Sequence, residues 1–361
     1  PLHSLTILLT LLAGLTRPCT GSARAADEAV DFNRDVRPIL ANHCWSCHGR
    51  DQASRKAGLR LDTRDAALTA GESGQPAIVP GQHSASELVR RIFAADAAEI
   101  MPPPEFQKPL SEQQKSTLQK WIQQGAPYAA HWSFIPPRRP PLPAVQQTDW
   151  PVSQLDLFVL QQLEREGLQP ARPATPLMWL RRVSLDLTGI SPSPAEQQQF
   201  LDEISRLGLS AAKTQVADRL LQSDRCAERL AMHWLDAARY ADTNGYNNDE
   251  MRTMWPWRDW VIEAFRSDMP WDQFLVEQLA GDLLPEATVS QRVATGFIRN
   301  HVLTTEGGII EDEYHWEYVA DRIHTTSTVF LGLSLQCARC HDHKYDPFSQ
   351  RDYYRLAGFF N

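Results

Sequence analysis

Two short stretches of the chain set a pair of cysteines before a histidine at one spacing. Cys44-Trp-Ser-Cys47-His48 stands near the start and Cys337-Ala-Arg-Cys340-His341 near the end. Cys-x-x-Cys-His is the attachment signature of c-type haem. The chemistry uses each position. Two thiols on one turn add to the two haem vinyl groups, and the adjacent imidazole lies beneath the iron as an axial ligand. Chance supplies about 0.003 such matches in a chain of this composition, so two matches are not accidental. The competing chemistries are a zinc site, which wants four ligands, and a redox or structural Cys-x-x-Cys.

The first motif has a sixth ligand within reach. Met101 sits in Glu99-Ile100-Met101-Pro102-Pro103, a proline-stiffened loop ahead of a helical stretch. A thioether opposite His48 fills both axial positions and raises the reduction potential, which suits electron transfer. His43 and His83 are the alternatives, and His43 adjoins Cys44 too closely to reach the opposite haem face. No such loop follows the second motif. Its distal ligand must come from upstream, where Met178, Met232, His233, Met251, Met254, Met269, His301, His315 and His324 are the candidates. His343, two residues past His341, could instead join Cys337, Cys340 and His341 in a compact Cys2His2 metal set, or the Cys-x-x-Cys could be structural.

Helices must position these groups. FNRDVRPILANHC carries Phe32, Val36, Ile39 and Leu40 at helical spacing and is expected to run straight into CWSCH. SASELVRRIF reads as a second helix capped by Ser84 or Ser86. LSEQQKSTLQKWIQQG reads as a third, with Ser111 as N-cap, Leu118, Trp121 and Ile122 inward, and Gly125 as the stop. HWSFIPPRRPPLPAVQQTDWP is too rich in proline for helix or central strand and reads as a stiff linker. Beyond it, eight segments between QLDLFVLQQLEREG and SQRVATGFIRN carry apolar residues three and four apart, and strand-like alternation is scarce. The expectation is an all-α protein. A leader spans 1–26, a class I cytochrome-c-like haem domain 27–130, a linker 131–151, and a larger helical domain with the second motif 152–361.

The leader expectation rests on LHSLTILLTLLAGL followed by small residues, with Ala23-Arg24-Ala25 as an A-x-A-like cleavage site. The run is too short for a membrane span, no later stretch is long enough, and export follows. Cys19 is read as part of the leader, because Pro18 fits a lipoprotein site badly. The chain starts with Pro and stops at LAGFFN, so a piece of a longer protein is expected. The 361 residues carry 42% hydrophobic and 22% charged residues, ordinary for a globular protein. A net charge of −8 argues against nucleic acid and is compatible with a basic redox partner.

Two further clusters call for weighing. Trp234, Asp236, Arg239, Tyr240, Asp242, Tyr246, Arg252, Trp255, Trp257, Arg258 and Asp259 crowd one stretch. They form either a pocket, for haem propionates or a sugar stacked on Trp, or ordinary helix packing with ion pairs, and packing is preferred. Glu306, Glu311, Asp312 and Glu313 surround Gly307-Gly308, and a solvated loop is preferred there over a cation or acid–base site. No phosphate loop, nucleophile elbow or dinucleotide fingerprint occurs.

FNRDVRPILANHCWSCHG, GLRLDT, IVPG and MPPP with LSEQQKSTLQKWIQQGA resemble the planctomycete-type cytochrome c module. LDLTGISPSPAE, WLDAARYADTNGY, WPWRDWVIEAF, EQLAGDLLP, ATGF, EGG and CARCHDHKYDP resemble the domain of unknown function that usually follows it. The resemblance covers essentially the whole chain after the leader. It implies an exported haem protein with haem at Cys44, Cys47 and His48 and with Met101 opposite. It implies that CARCHDHK matters without giving a distal ligand or a substrate, and members usually continue into a further domain.

The leading expectation is therefore an exported dihaem cytochrome c that passes electrons between a His/Met haem and a second haem at Cys337, Cys340 and His341. Its partner would be an unidentified redox protein. The rivals are a haem-dependent oxidoreductase or peroxidase-like enzyme at the second site, and a monohaem scaffold that binds carbohydrate.

Overall fold

The computed structural model describes residues 29–361, so the leader, Cys19 and the cleavage site lie outside the described residues. Among those described, fifteen α-helices form and no strand does. The chain parts into two compact units between Phe134 and Ile135.

In the first unit a π-helical turn over Phe32–Val36 leads into α1 (Arg37–His43), followed by α2 (Trp45–His48), α3 (Arg64–Leu68), α4 (Glu87–Ile92) and α5 (Glu112–Gln123). The expected unbroken run into CWSCH does not form. Cys44, at φ −126° and ψ −42°, ends α1, and the motif winds as a separate turn. Gly49 closes that turn because nothing larger fits: a Cβ there would lie 2.3 Å from the Trp45 carbonyl oxygen. Of the two caps offered for the second helix, Ser86 is the N-cap of α4. Its hydroxyl ties the preceding loop instead, accepting from the Val79 amide at 2.9 Å. Helix α5 begins as the sequence indicates. Ser111 accepts from the Gln114 amide while Gln114 reaches back to the Ser111 amide, satisfying two of the donors a helix start leaves unpaired. Leu118, Trp121 and Ile122 are fully buried. Trp121 packs with Phe32 and Tyr128 at 5.8 and 5.2 Å between ring centroids, and its Nε1 donates to the Pro127 carbonyl at 3.0 Å. This aromatic trio locks the first helical segment to the last.

The second unit holds α6 (Gln154–Arg165), α7 (Pro176–Thr188), α8 (Pro194–Leu207), α9 (Leu209–Leu221), α10 (Asp224–Ala237), α11 (Trp255–Arg266), α12 (Trp271–Ala280), α13 (Val289–Ala294), α14 (Glu311–Leu331) and α15 (Gln350–Ala357). One core gathers Leu180, Phe200, Ala212 and Val216 from α7, α8 and α9. A larger one gathers Trp234, Trp257, Trp260, Phe274 and Phe297. A third joins Val319 and Ile323 of α14 to Leu335, Ala338, Tyr353 and Ala357. Glycine sets one close approach: a Cβ on Gly281 would lie 2.2 Å from the Gln291 carbonyl oxygen.

One sequence expectation needs correction here, and another is met in large part. The acidic stretch read as a solvated loop is only partly loop, since Glu311, Asp312 and Glu313 form the first turn of α14, where carboxylates complement the helix dipole. The Trp-rich stretch follows the preferred packing reading at Trp234, Trp257 and Trp260, which are buried, while Trp255 is exposed.

Candidate functional site: the cysteine–histidine turn and its cavity

The turn Cys44–His48 forms one wall of a cavity enclosing about 920 Å³ of atom-free space, part of it open to solvent. Cys44, Cys47 and His48 border it, and Met101 borders it from a separate segment. The Met101 backbone is fixed there, because its amide donates to the Arg91 carbonyl at the end of α4, at 3.1 Å. Leu59, Leu61, Leu88, Ile92 and Phe106 supply apolar lining, as a planar macrocycle requires. His43 also borders the cavity, but its ring is engaged: Nδ1 meets the Lys108 carbonyl at 2.9 Å and Nε2 lies 3.4 Å from the Gln114 amide. His83 pairs with Gln119 at 3.1 Å.

The residues fit a haem. Nδ1 of His48 is buried without a hydrogen bond of normal geometry. Burial holds this imidazole below its usual range, partly offset by the nearby Lys56 backbone, which favours the neutral ring a metal requires. Burial, reinforced by Cys47, pushes the Cys44 thiol up to about 12. Across the cavity Glu87 is clamped by Arg90 and Arg91 at 2.6 to 2.8 Å, and these hydrogen bonds hold its carboxyl down at about 2. Sequence reasoning missed this clamp, whose only signal is acidic and basic residues three and four apart on α4.

The second motif is built differently. Ala338 is buried in the core beneath it, while Cys337 and Cys340 flank it exposed. His341 is half-buried, with Nδ1 on the carbonyl of its neighbour Asp342 at 2.8 Å. The cavities described in the second unit are lined by other residues. His343 does not join a metal set. It is buried, and its Nδ1 accepts from the amides of Tyr345 and Asp346 at 3.3 and 2.9 Å, which fixes the loop after the motif. Among the described residues no group of three His, Cys, Asp or Glu is arranged to hold a metal ion.

The upstream candidates for a distal ligand are scattered. Met178, Met232, His233 and Met251 are exposed, while Met254 is buried and Met269 packs against the tryptophan core. His301 is occupied, with Nδ1 at 2.9 Å from the Val302 carbonyl and Nε2 at 3.2 Å from Arg322. His315 pairs with Asn361 at 2.7 Å. Only His324 keeps a buried, unpartnered ring nitrogen.

An all-α unit in which Cys-x-x-Cys-His borders an apolar cavity defines a cytochrome c-type haem protein. Comparison with protein families agrees: residues 44–105 match the Planctomycete cytochrome C model (PSCyt1). Residues 154–361, more than half of the chain, match the model described as Protein of unknown function (DUF1549), PSCyt2, and the chain belongs to that family. Comparisons with curated proteins and with solved structures returned no match.

Proposed function

We propose that the protein is an exported electron carrier. Its first unit would hold haem c through thioethers at Cys44 and Cys47, with His48 and Met101 as the axial ligands. The observation that carries this reading is that all four side chains border one cavity, although Met101 lies about fifty residues beyond His48. When bound, the haem supplies one-electron iron chemistry. The chain's part is to hold two ligands in place and exclude water. The Arg91 carbonyl fixes the backbone of Met101, and the apolar lining keeps the cavity's dielectric low. With both axial positions filled by protein, there is no open site for substrate, which favours electron transfer over catalysis.

A second haem at Cys337, Cys340 and His341 is supported by spacing, whereas the exposure of both thiols favours a monohaem protein. A pyridine haemochrome count separates the readings. One haem per chain, abolished by the Cys44→Ala/Cys47→Ala variant and retained in Cys337→Ala/Cys340→Ala, supports the monohaem carrier. Two haems, halved by either variant, establish the dihaem form. Met101→Ala should lose the methionine–iron charge-transfer band and lower the reduction potential, and an unchanged spectrum would sink the axial assignment.

A further inference from the structure

A second concave site lies in the second unit, away from the cysteine turns. It encloses about 750 Å³ of atom-free space, partly open to solvent. One wall is a single face of α14, where Glu313, Tyr314, Glu317, Tyr318 and Asp321 fall at helical spacing. The other comes from Tyr246 and Thr304 on separate loops. We propose that this groove binds a neutral saccharide.

The aromatic surface is prearranged. Tyr246 and Tyr314 stand edge-to-face at 6.3 Å with their hydroxyls 3.4 Å apart, and Tyr314 is tilted against Tyr318 at 6.1 Å. Tyr318 is anchored from behind. His301 stacks on its ring at 4.5 Å, and its hydroxyl accepts from the Thr304 amide at 3.0 Å. Tyrosine offers a rigid amphipathic surface at low entropic cost, apolar toward C–H groups and polar at its tip. The Tyr314 hydroxyl donates to that of Tyr246, which orients both tips toward the groove's polar groups.

Charge decides the ligand class. Glu317 is held by Arg339 and Asp321 by Arg239, which leaves Glu313 as the carboxylate without an ion pair among the described residues. The uncompensated carboxylate of Glu313 disfavours an anion. An organic cation gains little, because two of the three carboxylates are already compensated and Glu313 is exposed to screening water. An apolar ligand would strand the acceptors. Asp321 Oδ2 has no hydrogen-bond partner within the protein and remains an acceptor to be satisfied. A polyhydroxylated neutral ring answers each feature: its hydroxyls donate to the Arg-fixed carboxylates, and its C–H face lies on the tyrosines.

The test is isothermal titration of the purified full chain with neutral hexaoses of glucose, mannose, galactose and xylose, with hexagalacturonate, and with choline. We expect at least one neutral hexaose to bind. Tyr314→Ala and Asp321→Asn should each weaken it at least tenfold, with circular dichroism unchanged, while Tyr314→Phe should lose less than Tyr314→Ala. Absence of binding by all four hexaoses, tighter binding of choline or hexagalacturonate, or binding that survives Tyr314→Ala overturns the proposal.

Discussion

At the scale of single residues, two positions make strong claims. Gly49 follows the haem-attachment turn with no room for a side chain, and the atom it would strike is backbone, which cannot swing aside. Gly49→Ala should therefore cost about 1–3 kcal/mol, read from chemical denaturation of the apo protein. Glu87 makes a pH prediction. Its carboxyl titrates at about 2 in the folded chain against about 4.5 when unfolded, so its contribution is complete above pH 4.5 and is lost as pH falls toward 2. Its partner Arg90 is about half exposed, so the contribution is about 1 kcal/mol. Glu87→Gln should flatten acid unfolding between pH 4.5 and 2 by that amount, measured against wild type. Cys44, Cys47, His48 and Met101, which border one cavity, could be singled out in the sequence because type and spacing mark them. The sequence hid Glu87, whose role depends on which face of α4 meets the cavity.

At the scale of elements, capping and apolar spacing were readable where the helix was amphipathic. Ser111, Leu118, Trp121 and Ile122 behave as their pattern indicates, and Ser111→Ala should cost about 1 kcal/mol in the same denaturation experiment. The break at Cys44 was not readable, because no proline or glycine marks it and the apolar positions run on either side. Helix α14 was missed for the opposite reason. Its first turn is acidic, and its buried face includes Thr325, Thr326 and Ser327, which carry no hydrophobic signal. With that helix unseen, the tyrosines and carboxylates on its surface could not be recognised as one wall. The tryptophans of α10 and α11 allowed either packing or a binding surface in sequence, and the burial of Trp234, Trp257 and Trp260 decides for packing.

At the scale of the molecule, two units each carry their own buried clusters. Between their helices the chain runs exposed and irregular through Pro136, Pro137, Pro140 and Pro141. Arg138 lies in that stretch, and its following residue is not proline, whereas Arg139 is followed by Pro140. Limited trypsin digestion should cut first after Arg138, giving two fragments on a gel. Early cuts within the helices would contradict the description of that stretch. The proline density made this segment legible in sequence, since few conformations are open to it.

The side chain between the two C-terminal cysteines has a wider consequence. Arg339 reaches from that turn to Glu317 on the groove wall, with contacts of 2.5 and 3.1 Å. With the proposed ligand in the groove, coupling through this ion pair is reciprocal: a change at the turn that displaces Arg339 shifts affinity in the groove, and the groove acts back by the same factor. Both partners are substantially exposed, so that factor is bounded at about fivefold, or about 1 kcal/mol. Two regions that look like separate sites are thus joined through one exposed ion pair, a link too weak to act as a switch.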